Sequence, residues 1–291
     1  MTRLTATDSA ELFRADPQSY LDVGAGEVAY RRVGTGPDVL FVHGWPVSGA
    51  TFRGLLPHLA DHVTCHVIDL PSAGSSRVTP TTPLSIPQHI TTVRRVVDLL
   101  DLDQVAVVGH DSGGMIARHA MAGDDRLAAM GLIDTEQSQG LNLRFKMFLA
   151  NRKVPGFGSI LGWLAGNRTL RRNGFVLGDA FVDRSLLDGE FDEFFLQPLA
   201  NDPAYRNATM KVLESFDTRY VHELGALHRQ IDIPVQLVWG EQDKFFPVEW
   251  AREMVADFPD AQLAVVPDAG LFSHEERPAE VAAALLPTLT R

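Results

Sequence analysis

The segment Gly109-His110-Asp111-Ser112-Gly113 sets an acidic side chain between two glycines, one two residues before it and one two residues after. Small residues at those positions let a strand turn sharply into a helix around a strained central residue, which lifts that residue's side chain clear of the sheet as a nucleophile. The centre of the frame is Asp111. Ser112 is a poorer centre, because the residue two before it is the bulky His110. A carboxylate is already ionised at neutral pH and needs no base before it attacks, so it suits displacement at saturated carbon. Attack on an acyl group would give an anhydride, a poor route to ester hydrolysis. The competing reading of Asp111 is structural, a helix N-cap in a glycine-rich turn.

Two other segments bear on that choice. His43-Gly44-Trp45-Pro46 follows an apolar run, so the backbone amides of Trp45 and Ser112 are expected to converge on one oxygen as an oxyanion hole. Asp243, in WGEQDKFFP, follows a later apolar run, where an acid that orients a histidine belongs. A histidine is then expected after the last strand, in the chain order nucleophile, acid, histidine.

The elements that would position these groups alternate. DVLFVHGWP (38–46), CHVIDL (65–70), QVAVVGHD (104–111) and AAMGLID (128–134) are short apolar runs suited to strands covered on both faces. SIPQHITTVRRVVDLLDL places Ile90, Val93, Val97 and Leu100 at helical spacing between the second and third runs. EVAYRRVG alternates as a strand and, with the turn-forming Gly34–Pro37, predicts an edge hairpin. From 136 to 228 only helix-like clusters occur, after which IPVQLVWG, VEWAREMVADF, AQLAVVP and PAEVAAALLPTL resume the strand–helix alternation. The expected architecture is α/β: a mostly parallel twisted sheet flanked by helices, formed by 1–135 and 229–291, with a helical cap inserted at 136–228.

At 291 residues, 45% hydrophobic and 22% charged, the chain can bury one large core or a core with an inserted subdomain. Its net charge of −11 and lack of basic runs exclude nucleic acid and anionic membrane as expected partners. Cys65 is the single cysteine and reads as a buried structural thiol. The N-terminal twenty residues contain no apolar signal-like stretch, and no window reaches a membrane span, so a cytoplasmic protein is expected. There is no phosphate-binding Gly-Lys-Ser/Thr loop, His-Glu-x-x-His or zinc spacing, and no cofactor or metal is expected.

These pieces together resemble the α/β-hydrolase superfamily, and within it the aspartate-nucleophile branch of epoxide hydrolases and haloalkane or haloacid dehalogenases. DLPSAGSS (69–76) is similar to that branch's Asp-x-Pro-Gly-x-Gly-x-Ser turn, with Ser72 in place of the first glycine. The resemblance implies attack by Asp111 on an electrophilic carbon, an alkyl-enzyme ester, and a histidine–aspartate pair that activates water to cleave it. It also places the histidine in a Gly-His-Phe stretch. Here that stretch reads Gly270-Leu271-Phe272, so Leu271 occupies the expected position and His274 lies three residues later. Either His274 reaches in through a rearranged loop, or the base is absent and the ester accumulates. His274, beside Glu275 and Glu276 at a helix start, also reads as a solvated surface residue.

Asp134 and Glu136 follow the strand after the elbow, where some dehalogenases keep their orienting carboxylate; a loop or cap-entry role is the alternative. The resemblance further implies cap tyrosines that protonate an opening epoxide, for which Tyr205 and Tyr220 are available. Dehalogenases of this kind place tryptophan or arginine directly after the nucleophile; Ser112 is neither. Trp45 is either a halide contact or pocket wall. Most of the cap aromatics are expected to be its own core, with a few lining an apolar pocket. The reading is therefore a hydrolase acting on a small apolar epoxide, with a dehalogenase, or a non-hydrolytic protein that kept the fold, as alternatives. A homodimer is left open.

Overall fold

The computed structural model describes residues 3–291, so Met1 and Thr2 of the N-terminal stretch lie outside the described residues. Eight strands form one sheet: β1 (Ser19–Asp22), β2 (Glu27–Gly34), β3 (Asp38–Val42), β4 (Thr64–Asp69), β5 (Val105–His110), β6 (Leu127–Ile133), β7 (Val235–Gly240) and β8 (Ala261–Val266). Their order is β1-β2-β4-β3-β5-β6-β7-β8. β2 pairs antiparallel with β1 and β4, and every other pairing is parallel. β4, β5 and β7 are buried at every position, as continuous apolar runs covered on both faces should be. Cys65 is fully buried in β4, and burial pushes its thiol up to about 12.

The edge hairpin exists but closes elsewhere than expected. β1 and β2 are joined through residues 23–26, where Gly24 and Gly26 take positive φ. The Gly34–Pro37 turn instead leads from β2 into β3, and β4 lies between those two strands. The apolar β3 is thereby kept inside the sheet rather than beside its edge.

The helix Ile86–Leu99 begins at Ser85, whose hydroxyl accepts the Gln88 amide, and buries Ile90, Val93, Val96 and Val97 against the sheet. Between β6 and β7 the described residues form helices and turns without a strand, including Leu143–Asn151, Phe157–Gly166 and Pro203–Glu214. This segment does not bury a separate interior. Phe145, Leu149, Leu199 and Leu213 belong to one apolar cluster continuous with the sheet residues. Among the described residues no helix is long and apolar enough to cross a membrane.

Ser72, standing where the resembled turn has glycine, holds φ at +81°. A side chain is strained in that left-handed region, so Ser72→Gly is expected to stabilise the fold by about 1 kcal/mol, read as a higher thermal midpoint.

Candidate active site

β5 ends in a turn that the sequence makes unavoidable. Asp111 sits at φ 50°, ψ −137°, and the helix Ser112–Met121 starts directly after it. The doubling back needs bare backbone on both sides. A Cβ on Gly109 would lie 2.5 Å from the Gly114 Cα, and one on Gly113 would run into the carbonyl oxygen of Val42. The Asp111 side chain makes no cap hydrogen bond to the helix it precedes, so the N-cap reading is not what the residue does. Its carboxylate turns instead to the neighbouring loop, where the Trp45 amide donates to Oδ2 at 2.8 Å. The Ser112 amide also donates to this carboxylate, and the Ser112 hydroxyl lies 3.3 Å from Oδ2. The Trp45 amide and the Ser112 hydroxyl thus meet at Oδ2 of Asp111 itself. His43 fixes the loop by accepting the Leu70 amide through Nε2 at 2.8 Å.

Above the turn lies a cavity enclosing about 770 Å³ of empty space, part of it open to solvent. Its wall is apolar: Phe145, Phe148, Leu149 and Phe216 come from the inserted helices, and Phe245, Phe246, Leu271 and Phe272 from the loops after β7 and β8. Other aromatics of the insertion pack away from it; Phe181, Phe191 and Phe195 are buried together, while Trp163 and Phe175 are exposed. Among the described residues, Asp111 and Glu136 are the only ionisable side chains lining this cavity. Tyr205 and Tyr220 do not line it. Tyr205 borders a smaller neighbouring pocket, and the Tyr220 hydroxyl accepts from Arg219. The Trp45 indole donates to the Thr209 carbonyl at 2.9 Å, which spends its N–H on the helix Pro203–Glu214.

Asp243 is buried just after β7. Its Oδ1 accepts the amides of Phe245 (2.7 Å) and Phe246 (3.0 Å), whereas Oδ2 is buried without a partner. An unpaired buried carboxylate oxygen is costly. Leu271 stands in the facing loop and points into the cavity.

His274 is not brought to this place. It is fully buried rather than solvated, and its Nε2 lies 2.8 Å from the Thr51 hydroxyl, with the ring packed on His110 and Phe52. The cause is the short helix Ser273–Glu276. The Ser273 amide and hydroxyl both bond Asp134, which turns the next residue away from the cavity and towards the core. Glu275 and Glu276 are likewise occupied: Glu275 with Arg53, and Glu276 with the amides of Gly270, Val182 and Asp183. Asp134 is structural, its Oδ1 accepting the Gly240 amide at 2.7 Å.

Three side chains that support the site escaped the sequence reading. Thr135 donates its hydroxyl proton to the Asp111 carbonyl at 2.7 Å. Arg118, fully buried, donates to the Thr135 hydroxyl and the Glu136 carbonyl, both at 2.8 Å. His110 reaches the Leu271 carbonyl at 2.9 Å. An arginine inside the largely apolar helix GGMIARHAM is the one visible signal, since a buried charge there must have partners.

Burial shifts the acids of the site in one direction. Asp111 is pushed up to about 6, against the pull of the Ser112 and Trp45 amides. Asp243 rises to about 7, mainly by burial and in part by the Asp111 charge. Glu136 rises to about 8 through burial and the same charge. At pH 7 the first is mostly ionised and the last mostly protonated.

A family model described as alpha/beta hydrolase fold matches residues 37–278. The chain belongs to the alpha/beta hydrolase family. This alpha/beta hydrolase is 28% identical to "Haloalkane dehalogenase 2" of Mycobacterium tuberculosis over 292 aligned positions, covering 94% of this chain and 97% of that protein. In structure it is similar to an alpha/beta hydrolase fold protein from Burkholderia ambifaria, with a TM-score of 0.77 at 22% identity, covering 94% and 98% of the two chains. It is also similar to epoxide hydrolase CorEH, with a TM-score of 0.76 at 21% identity over 93% and 97%. The two structural likenesses carry the fold alone.

Proposed function

We infer that this alpha/beta hydrolase attacks small apolar epoxides through Asp111 and forms an alkyl ester on that residue. The observation that carries the reading is the Asp111 carboxylate itself, spared from helix capping and facing an apolar cavity with one oxygen held by the Trp45 amide. The free oxygen forms a bond to an epoxide carbon, the ring C–O bond breaks, and its electron pair stays on the departing oxygen, which takes up a proton. Water then adds to the ester carbonyl. The oxyanion of that step develops on the Asp111 oxygen that the Trp45 amide holds. Collapse releases a diol and returns the carboxylate.

The inserted helices act in this reading as a cap that excludes water and selects apolar substrate. Asp243 would orient a histidine, but Leu271 fills that place, so ester cleavage is the slow half. Haloalkane turnover is the second reading, supported by the 28% identical relative. It is weakened by the Trp45 indole, whose N–H is already bonded to Thr209.

Incubation with 1,2-epoxyhexane and, separately, 1-bromohexane tests the choice by intact mass and product analysis. One epoxide mass added per chain with slow diol release is expected. Rapid bromide release with no reaction of the epoxide would replace the epoxide reading with the dehalogenase one.

A further inference from the structure

Opening an epoxide leaves a negative charge on oxygen, and the reaction needs a proton donor within the cavity. The tyrosines of the insertion do not line it, and Ser112 is no acid at neutral pH. One group remains. Glu136 follows β6, is 1% exposed, and shares the cavity wall with Asp111.

The hydrogen-bond pattern around Glu136 assigns it a proton. Thr135 has one hydroxyl hydrogen, and the shorter of its two acceptor contacts, 2.7 Å, is to the Asp111 carbonyl. Arg118 donates to the same hydroxyl oxygen. With that hydrogen on the shorter contact, the remaining one, 3.1 Å between the Thr135 hydroxyl and Glu136 Oε2, is a hydrogen bond in which a protonated Glu136 donates. The other oxygen, Oε1, is buried with no partner. Rotation about the broad terminal torsion of the side chain exchanges the two oxygens.

We propose that Glu136 is the general acid of this site, giving its proton to the epoxide oxygen as Asp111 bonds to carbon. The inference rests on Asp111 being the nucleophile. Glu136 is left as a carboxylate; when water adds to the ester, the proton lost by that water returns to Glu136, so the cycle closes with no other reagent. The charged groups facing Glu136 are Asp111 from the turn and Arg118 from the following helix; His228 behind Arg118 is kept neutral by burial. Burial, and after it the Asp111 charge, hold the proton on Glu136 up to about pH 8, and Arg118 opposes them.

Glu136→Gln tests the proposal, because a halide leaves without a proton whereas an epoxide oxygen needs one. The variant is expected to slow labelling of Asp111 by 1,2-epoxyhexane about 10²- to 10⁴-fold, while labelling by 1-bromohexane changes less than about threefold. In the wild-type protein, epoxide labelling is expected to fall as pH rises through about 8, and bromohexane labelling to hold. Equal labelling of variant and wild type by the epoxide overturns the role of Glu136 and leaves Asp111 standing. Loss of both labels in the variant, or a wild-type pH profile shared by both probes, makes Glu136 structural and overturns it too. A wild-type protein that neither probe labels overturns this proposal together with the reading beneath it.

Discussion

Leu271→His is expected to raise steady-state epoxide turnover by about 10²- to 10⁴-fold, the usual worth of a positioned general base. The argument begins with Asp243, whose Oδ2 is buried and unpaired while Oδ1 is held by two amides. A residue fixed that firmly is preorganised to orient an imidazole. Leu271 lies on the loop after β8, 8% exposed, with its side chain in the cavity wall and its carbonyl tied by His110. Histidine there donates one ring N–H to Asp243 and turns the other nitrogen to the ester on Asp111. Steady-state diol formation and the lifetime of the ester check this, the second shortening as the first rises. The same bond relieves Asp243, whose carboxyl now stands at about 7, so its pKa is expected to drop in the variant. A folded variant that forms the ester and releases it no faster favours a protein that retains the fold for capture alone.

Asp111→Asn is expected to lose adduct formation by about 10⁴-fold or more, since the amide is not a nucleophile and the other carboxyl of the cavity, Glu136, holds its proton at neutral pH. It is also expected to gain stability. Asparagine keeps an oxygen for the Trp45 amide but removes a charge that burial disfavours. The sign follows from the direction of the shift. An acid whose folded pKa is raised binds its proton more tightly in the folded state, so its contribution is fully present below the ordinary value and is lost as pH rises through about 6. The variant's advantage is therefore absent near pH 4 and grows to about 1–3 kcal/mol at pH 7 and above. Thermal midpoints of both proteins across that range measure it. A variant less stable than wild type at pH 8 would mean that the carboxylate is better satisfied than its surroundings indicate.

Much of this site was legible in the residues, and the reasons differ by position. The turn at Asp111 was readable because backbone sterics demand small residues on either side, and Gly109 and Gly113 have no other reason to be spaced so. Trp45 and Asp243 were readable because strand ends are marked by where apolar runs stop. His274 was not. Nothing local announces that Ser273 bonds Asp134, a residue 139 positions away, through both its amide and its hydroxyl. The same holds for Glu136, whose proton depends on Thr135, Arg118 and the Asp111 carbonyl meeting in three dimensions. Gly34–Pro37 predicts a hairpin that closes elsewhere, because glycine and proline mark where a chain bends without saying which strand it then joins.

Peptide mass spectrometry after exposure to 1,2-epoxyhexane tests the central claim most directly. The peptide containing Asp111 is expected to carry one ring-opened epoxide, with the fragment ions placing it on that carboxylate and the Asp111→Asn protein unmarked. An unmodified Asp111 after prolonged exposure, or an adduct confined to other side chains, would contradict the account.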